Sequence, residues 1–160
     1  MSDITFRTLG VPAPLLDVLA KDGKTDAFPI QVDTLPDTLA GRDVLGRGKT
    51  GSGKTLAFSI PMAARLGGAL AGSSRRAGRI LGLVLAPTRE LATQINATLE
   101  PLASAYGMTT TTIFGGVNDL IAPGSDLEEM RADLAAMYGE ARGHDCTVLT
   151  FTLPDPTSIN

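Results

Sequence analysis

Apolar and polar positions along the 160-residue chain follow two rhythms, one helical and one extended. Leu91, Ile95, Leu99, Leu102 and Tyr106 step by 4, 4, 3 and 4, so they share one face of a helix over Thr88–Tyr106. Pro14–Ala20 is a shorter helical stretch and Gly53–Leu66 a longer one. Pro61 is expected to kink the latter, because proline removes a helix hydrogen bond and its ring crowds the preceding turn. Ile80–Ala86 (ILGLVLA) is a continuous apolar run of strand length, as expected of a strand covered on both faces. Asp43–Gly46 reads as a short strand, Met108–Phe114 as a Thr-rich one and Cys146–Thr152 (CTVLTFT) as another. Ser125 and Glu128 form a capping box that opens an amphipathic helix with Leu127, Met130, Leu134, Met137 and Ala141 on one side. Alternating strand and helix predict an α/β fold, a parallel sheet with helices on both faces.

The one biased stretch, Gly67–Arg79 (GGALAGSSRRAGR), reads as a basic loop. Apolar residues make up 43% and charged ones 19%, which excludes an extended disordered chain and suits one domain with its own core. Aromatics are only 4% and Trp is absent, so the core is aliphatic and little surface is left for stacking bases. A single cysteine, Cys146, permits no intrachain disulfide. The N-terminus lacks a basic start with an apolar stretch behind it, and no apolar run reaches the roughly 20 residues that span a bilayer. A cytoplasmic protein with no membrane partner is expected. The net charge of −3 hides an asymmetry: residues 1–116 carry 12 Lys/Arg against 9 Asp/Glu, while 117–160 carry 2 against 8.

Residues 48–55 read GKTGSGKT, which satisfies GxxxxGK[ST]. The string lies between a predicted strand and a predicted helix, where a phosphate loop has to be. Glycines let backbone N–H groups of Thr50, Gly51, Ser52 and Gly53 turn toward phosphate oxygens, and the helix N-terminus adds a favourable dipole. Lys54 would reach the outer phosphates, and Thr55 would ligate Mg²⁺. Upstream, the Gln31 amide has the donor and acceptor to pair with the adenine edge, and the Phe6 ring could cover its face. The other reading of these two is a solvated Gln and a core Phe.

Phe6, LGVP (9–12), FPIQ (28–31), GRDVLGRGKTGSGKT (41–55), LAPTRELA (85–92) and Gly115-Gly116 together resemble the first half of the N-terminal RecA-like domain of DEAD-box RNA helicases. The resemblance covers residues 6–116 and includes that family's Q motif, Walker A loop and motif Ia. It implies a partial RecA-like (P-loop NTPase) sheet, an ATP and Mg²⁺ site made by Phe6, Gln31 and the phosphate loop, and RNA-backbone contacts from Pro87, Thr88, Arg89, Gly115 and Gly116. Thr88 and Arg89 open a helix, so a hydroxyl, a guanidinium and free N–H groups would face a phosphate together, giving a weak, salt-sensitive grip. Two departures stand out: Phe28 where the family usually has Thr, and Gly48 where it usually has Ala.

After Gly116 the family's Asp-Glu-Ala-Asp and Ser-Ala-Thr segments and its second RecA-like lobe have no counterpart in the sequence. The acidic tetrapeptide holds the metal and orients the attacking water, so binding of ATP and its hydrolysis separate here. Asp155 follows a strand but is followed by Pro156 rather than Glu. GGVNDL (115–120), the helix from Ser125 and VLTFTLPDP (148–156) resemble instead the middle of SGNH/GDSL-type hydrolases, which implies an oxyanion-hole role for Asn118. That family's nucleophile block and late Asp-x-x-His are missing, and His144 (RGHD) reads as a loop residue. The chain thus divides into a RecA-like ATP-binding region, 1–116, and an acidic α/β tail, 117–160, either diverged or foreign. The reading is an ATP-binding, RNA-contacting helicase fragment that neither hydrolyses ATP nor unwinds alone, its second lobe supplied elsewhere. An ester-hydrolase remnant and a structural product without activity are the alternatives.

Overall fold

The computed structural model describes residues 4–67, 80–113 and 148–152. Contacts divide the chain into two units, Met1–Arg75 with Thr98–Met108, and Arg76–Ala97 with Thr109–Asn160.

In the first unit, α1 (Ala13–Lys21) starts behind Pro12, whose fixed φ suits a helix entry, and buries Leu15 and Leu19. Gly23, at φ +69, closes the helix with the Lys24 N–H on the Leu19 carbonyl. The chain then runs back against its own start. Thr5 and Asp26 form an antiparallel bridge, the Phe6 N–H donates to the Thr25 carbonyl at 3.2 Å and the Ala27 N–H to Ile4 at 2.8 Å. This pairing brings Phe6, 25 positions upstream in sequence, to the residues just before Gln31.

Two helices follow. α2 (Pro29–Leu39) was not predicted: its inward stripe is Gln31, Thr34, Leu35 and Leu39, half of it polar, and Pro36 reads as a breaker. Pro36 lies on the exposed side of the helix, which runs through it. α3 (Lys54–Gly67) matches the predicted Gly53–Leu66 within a residue and runs through Pro61, which sits on its buried face with Leu56, Ile60 and Ala64. The Arg65 guanidinium donates to the Leu39 carbonyl at 3.4 Å, placing a cation at the negative end of α2. Leu99, Leu102 and Met108 are also fully buried in this unit.

The strand predicted at Asp43–Gly46 does not form. Residues 42–49 are irregular, pair with no strand among the described residues, and leave Val44 40% and Leu45 fully exposed. A strand is defined by its neighbours, and a Val-Leu pair between Asp43 and Gly46 says nothing about whether neighbours exist.

The second unit holds a three-stranded parallel sheet of β1 (Gly82–Ala86), β2 (Thr110–Ile113) and β3 (Val148–Thr152) in the order β1-β3-β2. Ala86 pairs with Thr152 and Ile113 with Phe151, so β1 and β2 end on the same edge. Parallel pairing and the predicted strands agree. The double covering expected of β1 does not hold along its length: Val84 and Ala86 are buried, whereas Leu83 and Leu85 are about half exposed. α4 (Arg89–Ser104) leaves β1 and buries Ile95 as predicted, but with Ala92 beside it in place of Leu91, which is half-buried, and it ends two residues short of the predicted Tyr106. The helix predicted from Ser125, the loop residues 68–79, Asp155 and His144 lie outside the described residues.

Candidate functional site

Gln31 is the centre of the first unit's site. It is N3 of α2 and completely buried. Its Oε1 accepts the Phe28 N–H at 2.8 Å, satisfying a donor at the helix start, and its Nε2 donates to the Gly53 carbonyl at 2.9 Å. One amide therefore ties the start of α2 to the last residue before α3, 22 positions on. Of the two readings of Gln31 and Phe6, the solvated Gln is excluded; Phe6 is 1% exposed, so it is a core residue as well as a wall of the site. By valence Gln31 keeps one amide hydrogen and one lone pair for a ligand.

A cavity of about 300 Å³ opens beside this amide, lined by Phe6, Lys24, Thr25, Asp26, Phe28, Gln31 and Leu56. That volume is at the lower end of small-molecule sites, ~300–1,000 Å³. Phe28, which stands where the family usually has Thr, is 54% exposed and offers an aromatic edge. Lys24, paired with Asp22, Thr25 and Asp26 were not singled out from sequence. The signal was their position immediately before FPIQ, but it takes the antiparallel bridge to Thr5 to make them a wall.

The phosphate loop leads directly from this cavity into α3. Gly51 and Gly53 adopt φ +78 and +83, conformations that let consecutive N–H groups converge. Gly53 is also closely approached: a Cβ there would lie 2.5 Å from Gln31 Nε2 and 3.0 Å from the Phe28 ring. Lys54 Nζ donates to the Gly48 and Lys49 carbonyls at 2.6 and 2.7 Å, so the lysine lies folded over its own loop. Ser52 Oγ is buried with no hydrogen-bond partner among the described residues. Thr50 is exposed and Thr55 half-buried. The Ser52 N–H is spent on the Lys49 carbonyl at 3.2 Å, while the orphaned Ser52 hydroxyl and a cation held by carbonyls fit a polyphosphate. The fit to Mg²⁺ rests on Thr55 alone, because no cluster of three or more His, Cys, Asp or Glu able to hold a metal occurs among the described residues.

In the second unit Pro87, Thr88 and Arg89 are all exposed at the end of β1. Thr88 is the N-cap of α4, its Oγ1 accepting the Leu91 N–H at 3.2 Å, and Glu90 adds a favourable charge to the first turn. The Thr88 hydroxyl is thus already employed by its helix. Thr88→Ala should lower stability by about 1 kcal/mol in urea unfolding. Gly115, Gly116 and Asn118 lie outside the described residues.

The DEAD/DEAH box helicase family model matches residues 28–150. The chain belongs to that family. The match takes in Gln31, the phosphate loop and the start of α4, and runs on into the acidic block that contains β3. The sequence is 40% identical over 116 residues to the ATP-dependent RNA helicase RhlB of Sodalis glossinidius, covering 72% of this chain and 28% of that protein. It is 42% identical over 123 residues to the DEAD-box ATP-dependent RNA helicase 3 of Helianthus annuus, covering 72% of this chain and 50% of that one. Among solved structures it resembles the RNA helicase Prp28 of Chaetomium thermophilum bound to ADP, with TM-score 0.65 and 29% identity over 95% of this chain and 32% of that one. The chain therefore spans between about a quarter and half of these relatives, and corresponds to part of a first RecA-like domain of α/β class. No helix among the described residues is long and apolar enough to cross a membrane.

Proposed function

We propose that this chain binds ATP at the cavity and phosphate loop of its first unit, touches RNA backbone weakly through Pro87, Thr88, Arg89, Gly115 and Gly116, and by itself neither hydrolyses ATP nor unwinds RNA. The observation that carries the nucleotide reading is the Gln31 amide, bonded to Phe28 and Gly53, which joins a base-sized cavity to the phosphate loop. Phe6 and Phe28 flank the base, Gln31 offers its remaining donor and acceptor, and Thr50 to Lys54 take the phosphates. Thr55 is the residue that would hold Mg²⁺, which when bound would supply positive charge against the phosphates. Water activation has no owner in these 160 residues, which lack Asp-Glu-Ala-Asp. For residues 117–160 divergence is favoured over a foreign origin, since the family match continues to residue 150 and β3 pairs with both β1 and β2.

Titration with a fluorescent ATP analogue tests the reading. Micromolar binding is expected, weakened about 10- to 100-fold in Lys54→Ala through loss of a charge-assisted contact. No binding at millimolar nucleotide, or no effect of Lys54→Ala, refutes it. Phosphate release should stay at background with and without RNA; RNA-stimulated turnover that depends on Lys54 would overturn the separation of binding from hydrolysis.

A further inference from the structure

Gly48 stands at the point where the phosphate loop closes on itself. Its φ lies outside the left-handed region that Gly51 and Gly53 use, so backbone freedom is not what position 48 requires. Space is. A Cβ at 48 would sit 2.7 Å from Ser52 Oγ, 3.5 Å from Ser52 Cβ and 3.9 Å from Lys54 Cδ. The niche left by the missing methyl group holds the buried, unpartnered Ser52 hydroxyl, while the Gly48 carbonyl takes Lys54 Nζ at 2.6 Å. One residue thus accommodates both side chains that a phosphate would engage. Buried polar groups ordinarily find partners, so an orphaned hydroxyl here is a cost of this loop conformation that a ligand oxygen would remove.

We propose that Gly48 is a positioning residue that lowers nucleotide affinity: its niche lets Ser52 tuck into the loop over which Lys54 lies folded, a self-closed form that nucleotide must displace. The inference rests on the ATP-binding reading. A phosphate group competes with the Gly48 and Lys49 carbonyls for the same ammonium. Apparent affinity falls by the fraction of loops that are closed, and a methyl group at 48 evicts Ser52 and shifts that fraction. Eviction is cheap, because the atom in the way is the end of a small side chain.

Calorimetric titration of the full chain with ADP and with adenosine tests this. Gly48→Ala should bind ADP roughly three- to tenfold more tightly and adenosine unchanged, since only the phosphates compete with the closed loop. In a Ser52→Ala background the same change at 48 should alter ADP binding by less than about twofold, because the displaced hydroxyl is gone. Ser52→Thr overfills the niche from the other side, keeps the hydroxyl, and should also tighten ADP. Unchanged or weaker ADP binding in both Gly48→Ala and Ser52→Thr overturns the inference. So does tightening that persists without the Ser52 hydroxyl, which would mean general stiffening of the loop. A wild-type chain that fails to bind ADP at millimolar concentration refutes the nucleotide assignment itself, and this inference with it.

Discussion

Gly53→Ala should destabilise the first unit by about 3 kcal/mol and abolish nucleotide binding, while Gly51→Ala, two residues away, should cost about 1 kcal/mol. Both glycines have positive φ, +78 at Gly51 and +83 at Gly53, so an L side chain meets the same conformational penalty at each, roughly 1–2 kcal/mol. Their surroundings differ. Nothing lies within 4 Å of a Cβ at 51, whereas at 53 it would meet Gln31 Nε2 at 2.5 Å, Gln31 Cδ at 3.2 Å and the Phe28 ring at 3.0 Å. Gln31 has no room to retreat, being fully buried and held by the Phe28 N–H. Breaking its bond to the Gly53 carbonyl strands a buried amide and adds roughly 1–3 kcal/mol. Urea midpoints of the two variants separate the shared dihedral cost from the close approach that only Gly53 makes. Equal midpoints would mean that the contact between Gln31 and the loop carries no stability.

The same contact marks the limit of what the sequence discloses. α1, α3, α4 and the three strands were legible because each advertises its buried face locally: Leu91, Ile95, Leu99 and Leu102 repeat within one helix, and ILGLVLA is apolar throughout. α2 was hidden because its inward positions include two polar residues: Thr34, which bonds back to the Ile30 carbonyl one turn earlier, and Gln31, whose partner Gly53 lies 22 positions away, outside any local window. Asp43–Gly46 failed for the opposite reason: its Val44-Leu45 pair looks strand-like locally, but strand character depends on neighbours elsewhere in the chain. In the site, GKTGSGKT is local and was read directly. The cavity wall at Lys24–Asp26 depends on a bridge between Thr5 and Asp26, and the resting place of Lys54 on the Gly48 and Lys49 carbonyls is a choice between loop forms that residue types alone do not decide.

Phe6 separates folding from binding, because it serves both. It is 1% exposed, anchored by backbone bonds to Thr25 and Val11, and forms one wall of the cavity that Gln31 borders. Phe6→Ala should cost about 3–5 kcal/mol, the usual penalty for emptying a buried aromatic site, and should unfold a marginal unit outright. Loss of nucleotide binding in that variant therefore says nothing about the ring as a ligand contact. Phe6→Leu retains most of the buried volume and should cost about 1–1.5 kcal/mol, leaving the unit folded. If the ring covers a base, Phe6→Leu should weaken adenosine and ADP by the same factor, about two- to tenfold, since the aromatic contribution of roughly 0.5–1.5 kcal/mol is made to the base and not to the phosphates. Lys54→Ala should instead spare adenosine and weaken ADP. Equal weakening of both ligands by Phe6→Leu, with weakening of ADP alone by Lys54→Ala, ties the base to the cavity and the phosphates to the loop. If both variants weaken ADP and neither touches adenosine, the cavity at Phe6 is not where the base sits.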